Sequence, residues 1–147
     1  MPPIINIVII DANFILLPFQ FKIDYLKEIR DLVEGKISFI IFRQVLNELE
    51  AKKKREPNAV KFEKLLDSGL MYLDRNKEKF PIEFIEEVKE QNETTDEFLI
   101  RKSIEMKSEL KKIYIATNDM ELKRLAKHQK ISRIFLRQKN YLSIEYS

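Results

Sequence analysis

Apolar residues follow two alternating rhythms along this chain. Ile4 to Ile10 is an almost unbroken β-branched run, interrupted only by Asn6. Such a run suits a strand buried on both faces, the central kind in a parallel sheet. Ile37 to Phe42 repeats it, and so does Ile113-Tyr114-Ile115-Ala116. Between these runs the period lengthens to that of amphipathic helices. Asp24 opens one carrying Tyr25, Leu26, Ile29, Leu32 and Val33, and Arg43 to Arg55 carries Val45, Leu46 and Leu49. Pro57 starts another with Val60, Phe62, Leu65 and Leu66, while Phe14 to Gln20 reads as a short apolar turn or helix closed by Pro18. Gly35 and Gly69 are expected to stop the helices that precede them.

Beyond Gly69 the pattern predicts a short third strand at Leu70 to Leu73, a charged connection from Asp74 to Phe80, and a helix over Ile82 to Gln91. Thr94 and Glu97 stand at capping-box spacing, so a helix should begin there and run towards Leu110. Asn118 and Glu121 repeat that spacing before the helix from Met120, which makes Asn118 the expected cap. Ser132 to Leu136 reads as a fifth strand followed by a short tail. This alternation predicts an α/β fold in one domain over 1–147. The architecture expected is a three-layer α/β/α sandwich around a mainly parallel sheet of about five strands, joined by right-handed crossovers.

Composition narrows the chemistry. The 147 residues include no cysteine, which removes disulfides, thiolate metal sites and cysteine nucleophiles. A single histidine, His128, sits near a helix end and suits a surface or capping role. Two glycines cannot build a Walker A loop or a G-x-G-x-x-G fingerprint. The net charge of +3 is compatible with a polyanionic partner. No basic signal-peptide region precedes the first strand and no apolar run approaches a membrane span, so the expected location is cytoplasmic, away from membranes.

Acids carry the functional signal. Asp11 follows the first strand, and Asp119 follows the Ile113 to Ala116 strand. Glu48 lies about two turns into the helix after the second strand, and Asp96 lies in the first turn of the helix from Thr94. In a parallel sheet all four positions belong to the carboxyl rim, where ligands bind. Each has an ordinary alternative: a turn cap at Asp11, a pair with Lys52 at Glu48, and helix-dipole stabilisation at Asp96 and Asp119. Together they suggest an all-oxygen site for a hard divalent cation, Mg²⁺ or Mn²⁺, and phosphodiester hydrolysis.

The motifs around these acids resemble those of PIN-domain nucleases over nearly the whole chain. They are Val8-Ile9-Ile10-Asp11-Ala12-Asn13, Val45-Leu46-Asn47-Glu48-Leu49, Thr95-Asp96-Glu97-Phe98-Leu99-Ile100, and Ala116-Thr117-Asn118-Asp119-Met120-Glu121-Leu122. Ala12 stands where the family often has threonine, and Asp96-Glu97 where many members have two aspartates. The Leu16 to Gln20 run looks closest to archaeal members similar to the PIN nucleases of small-subunit ribosomal RNA processing, with VapC-type toxins next.

The resemblance implies a metal-dependent endoribonuclease acting on single-stranded RNA. Asp11, Asp96 and Asp119 would hold the metal and Glu48 would complete the cluster. Asn13, Thr117 and Asn118 would form a second tier, and Arg43, Lys52, Lys53 and Arg55 would guide RNA. It leaves a homodimer, an antitoxin and a ribosome-assembly factor open as partners. The competing classes are a PIN fold kept as a non-catalytic RNA- or protein-binding module, and a phosphatase with Asp11 as nucleophile. The second is disfavoured because Asn13 replaces the second acid of Asp-x-Asp.

Overall fold

A computed structural model describes residues 3–56 and 60–147. The first buried run forms β1 (Ile5–Ile10), and after Asp11 come two single-turn helices, α1 (Ala12–Ile15) and α2 (Leu17–Gln20). Pro18 opens the second of these rather than closing it, because a residue without an N–H costs nothing in a first helical turn. Then follow α3 (Tyr25–Leu32), β2 (Lys36–Phe42) and α4 (Arg43–Arg55). Gly35 between α3 and β2 has φ +94°, a left-handed conformation that suits glycine.

The next stretch departs from expectation. Helix α5 (Val60–Asn76) runs straight through Gly69 and absorbs Leu70 to Leu73, which are not a strand. The start expected at Pro57 lies outside the described residues. The third strand is instead β3 (Ile82–Ile85), followed by an irregular segment, where a helix was expected. The chain then continues through α6 (Thr95–Met106), β4 (Lys111–Ala116), α7 (Met120–His128), β5 (Ser132–Arg137) and β6 (Tyr141–Glu145). The expected tail is therefore a sixth strand, turned back through Gln138 and Lys139, both at positive φ.

The six strands form one sheet in the order β3-β2-β1-β4-β5-β6. All neighbours are parallel except β5 and β6. Helices α1, α2, α4 and α5 pack among themselves, and α6 packs on α7. Right-handed crossovers put these two groups on opposite faces, the expected three layers. From β1 the chain moves outward to β2 and β3, then returns across them to β4 on the other side. The switch point thus lies between β1 and β4, where α/β sheets open a crevice at their carboxyl ends. Val8, Ile9, Ile10, Ile41, Phe42 and Ile115 are buried beneath that rim and fix its base. None of the described helices is long and apolar enough to cross a membrane.

Candidate active site at the carboxyl rim

Asp11 is the first residue past β1, and its backbone N–H still donates to Ala116 of the neighbouring strand at 3.0 Å. The sheet itself therefore sets its position. Its side chain is 5% exposed. One oxygen accepts from the Ala12 N–H (2.8 Å), capping α1, and the other accepts from the Thr117 hydroxyl (2.7 Å) and the Asn13 amide (3.2 Å). Burial pushes its pKa up to about 6, against these hydrogen bonds, and the charges of Glu48 and Asp119 push the same way.

Asp96 follows the capping box that starts α6. The Thr94 hydroxyl accepts from the Glu97 N–H (3.1 Å) and the Glu97 carboxylate accepts from the Thr94 N–H (2.9 Å). With both capping duties taken by other residues, Asp96 is left free to face the rim. Burial, followed by the charges of Asp119, Asp11 and Glu121, raises its pKa to about 6, with no hydrogen bond opposing them. Glu48, projecting from α4, is more exposed. Its pKa is also raised, by desolvation first and then by Asp96 and Asp119, while the Thr95 hydroxyl and Arg55 oppose the rise.

Asp119 is exposed and begins α7, where its carboxylate accepts from the Leu122 N–H at 2.8 Å. This corrects the expectation that Asn118 is the cap. The Asn118 side-chain oxygen instead accepts from the Leu136 N–H (2.8 Å), while the Asn118 N–H donates to the Asn13 side-chain oxygen (2.9 Å). Both amides thus brace the ends of β1, β4 and β5. The buried Thr117 hydroxyl does double duty, donating to Asp11 and accepting from the Asp119 N–H at 3.0 Å.

Each of the four acids thus lies within the electrostatic reach of the other three. Among the described residues, however, no three acids stand close enough to hold one metal ion between them. The donor set is all oxygen, and Asp96 has neither a hydrogen-bond donor nor a cation among the influences on it. In chemistry the set fits a hard divalent ion. One buried residue escaped the sequence reading. Gln44, 8% exposed, donates to the Thr95 hydroxyl (3.1 Å) and accepts from the Lys89 N–H (3.1 Å). It ties α4 and the segment after β3 to the start of α6. The signal was a lone amide among the apolar positions of α4.

Two of the four basic residues expected to guide RNA, Arg43 and Lys53, are paired with carboxylates. Arg43 makes a two-pronged contact with Glu86 (3.0 and 2.8 Å), Lys52 lies 5.0 Å from the Phe62 ring centroid, and Lys53 is 3.6 Å from Glu63. Arg55 is exposed and close enough to Glu48 to lower its pKa.

Thr117→Val is expected to destabilise the protein by about 1–3 kcal/mol, because it orphans the Asp119 N–H and takes from a buried carboxylate oxygen the shorter of its two hydrogen bonds. It should also raise the Asp11 pKa further, since the lost hydrogen bond lowers it. Denaturant unfolding and NMR titration of the Asp11 carboxyl carbon would check both; an unchanged Asp11 titration would contradict this assignment of the bond.

Comparison with known proteins gives a consistent picture. Residues 8–70 match the family model described as "PIN like domain". The solved structure of the PIN domain endonuclease Utp24 superposes with a TM-score of 0.64 at 22% identity, covering 96% of this chain and 92% of that one. A domain of a functionally unknown protein from Methanocaldococcus jannaschii DSM 2661 superposes with a TM-score of 0.61 at 21% identity, over 89% of this chain and 91% of that one. No curated protein sequence matches the chain.

Proposed function

With a PIN-like fold as its frame, we propose that this protein is a metal-dependent endoribonuclease that hydrolyses single-stranded RNA. The observation carrying this reading is that acids from four separate segments act on one another's charge at the switch-point rim. Its fold is shared with a PIN domain endonuclease. A fold gains nothing by gathering mutually repelling carboxylates, one buried and one half-buried, unless a ligand offsets the cost.

Asp11, Asp96 and Asp119 would hold Mg²⁺ or Mn²⁺ directly or through bound water, with Glu48 completing the set. The chemistry such an ion supplies when bound is charge neutralisation and Lewis-acid polarisation of a phosphoryl oxygen. The chain's own contributions are distinct. Thr117 and the Ala12 N–H fix Asp11 through its two oxygens. Glu48, exposed and with a raised pKa, suits acceptance of the proton released as water attacks phosphorus. The P–O bond to the leaving ribose oxygen then breaks, and that oxygen takes a proton from solvent water, Glu48 later returning its own proton to solvent. The resemblance in the four motifs extends the reading to ribosomal RNA processing or RNA decay.

Purified protein is expected to cut a labelled single-stranded RNA internally when Mg²⁺ or Mn²⁺ is supplied and to stop when chelator is in excess. Products would be resolved on a denaturing gel. Cleavage that persists in chelator, or RNA binding without detectable metal binding by calorimetry, would refute the reading; the latter would favour the binding-module class.

A further inference from the structure

Cations are distributed unevenly around the acids. Besides Arg43 and Lys53, Arg101 bonds both Glu93 (2.8 and 2.9 Å) and Glu105 (3.1 Å). Lys102 pairs with Glu87 and Glu105. On the side of the rim towards α4 and α6, Arg43, Lys53, Arg101 and Lys102 are thus paired with carboxylates. On the side towards α7 and β5 the cations are gathered in a groove instead.

There, a groove of about 350 Å³ begins at Met120, the residue immediately after Asp119, and runs between α7 and β5. Five cations line it against one carboxylate, Glu145. Two of the five are engaged. Arg133, 4% exposed, bonds the Ile131 carbonyl, Ser147 and Glu145, and Arg124 forks onto Glu121. Lys123 and Lys127, one helical turn apart on α7, have no carboxylate within ion-pair distance among the described residues. Arg137 stands 3.9 Å from Glu145, the long limit of a pair.

Phe135 organises two of these charges. The Lys123 ammonium lies 4.5 Å and the Arg137 guanidinium 5.1 Å from its ring centroid. The ring's negative face holds both cations without neutralising them, so they remain able to meet a phosphate. Met120, 79% exposed, offers an apolar surface between the acids and this basic floor.

We propose that the RNA strand leaves the acids over Met120 and lies in the α7–β5 groove, its phosphates held by Lys123, Lys127 and Arg137. Lys52 to Arg55 do not form its main track. The assignment rests on the endoribonuclease reading, since it takes the acids as the point where the strand is cut. Three phosphate contacts carry salt-dependent affinity and no sequence choice.

The test is fluorescence anisotropy of a labelled oligouridine in excess chelator, at several salt concentrations. Changing Lys123, Lys127 and Arg137 together to Gln should weaken binding roughly tenfold or more and reduce the salt slope by about 2. Changing Lys52, Lys53 and Lys54 together to Gln should leave affinity within about twofold. Should the first triple variant fail to fold by circular dichroism, Lys123→Gln with Lys127→Gln, both on the outer part of α7, should still lower the slope by about 1.4. Groove variants that bind like the parent, or a larger loss in the α4 set, would overturn the groove assignment while leaving the nuclease reading intact. A parent protein that neither binds nor cuts RNA would overturn both.

Discussion

Asp96→Asn is expected to make the ion-free protein more stable while reducing RNA cleavage at least 100-fold. The two effects have opposite signs because the same charge is a burden to the fold and a requirement of the site. Asp96 is pushed to about 6 by burial and by Asp119, Asp11 and Glu121. A two-unit shift corresponds to roughly 3 kcal/mol at neutral pH, and partial exposure reduces this to about 1–2 kcal/mol. The amide removes that cost. Under the proposed function, loss of one carboxylate of the metal set accounts for the activity, on the scale of other electrostatic knockouts of about 10²–10³.

The same shifts determine a pH dependence. In the fold Asp11 and Asp96 are both pushed up to about 6, above the ordinary aspartate value of 3.8, so between these values the fold binds more protons than the unfolded chain. Stability is then greatest at the acid end of the window and is lost as pH rises through about 6. In chelator, the melting temperature should rise as pH falls from 7 to 5, by less in Asp96→Asn than in the parent. The picture would fail if the parent were most stable at pH 7 or if Asp96→Asn melted lower than the parent at that pH.

The second large effect is expected at Gly69. In an ordinary helix, glycine to alanine gains about 1 kcal/mol. Here a Cβ would sit 2.1 Å from the Ile15 carbonyl oxygen and 3.1 Å from the Ile15 Cγ2. Backbone cannot move aside as a side chain can, so Gly69→Ala should cost about 3 kcal/mol net, with a melting temperature lower by roughly 6–12 °C. Ile15 belongs to α1, which Asp11 caps, so displacement would reach the rim. Thermal unfolding is the check, and a variant as stable as the parent would show that α5 does not need this approach.

Gly69 also shows where sequence reading stops. Its spacing from the preceding apolar positions suits a helix stop, but its reason for being glycine is a contact with a segment more than fifty residues away, which no local pattern reveals. Once that stop was assumed, Leu70 to Leu73 read as a strand. The true third strand, Ile82–Ile85, is a short sheet edge, half-exposed, and its Ile82, Ile85 and Val88 spacing fits a helix equally well. Strand β6 alternates too weakly to announce itself, with only Leu142 buried. By contrast β1, β2 and β4 were legible because continuous burial leaves continuous apolar sequence. The capping box at Thr94 was legible because its geometry is local. The four acids were legible as rim residues, since strand ends and helix starts define that rim in any parallel sheet. Their separations were not, because these depend on how far each helix leans over it.

The amides of Asn13 and Asn118 have one more consequence. The ends of β1, β4 and β5 are braced through groups that cannot ionise, with Asn118 receiving the Leu136 N–H and Asn13 receiving the Asn118 N–H. Asp11 and Asp119 also cap α1 and α7, but these two bonds between the strand ends end on no carboxylate. The junction of β1, β4 and β5 therefore keeps two ties whose strength does not depend on the charge of the acids beside it.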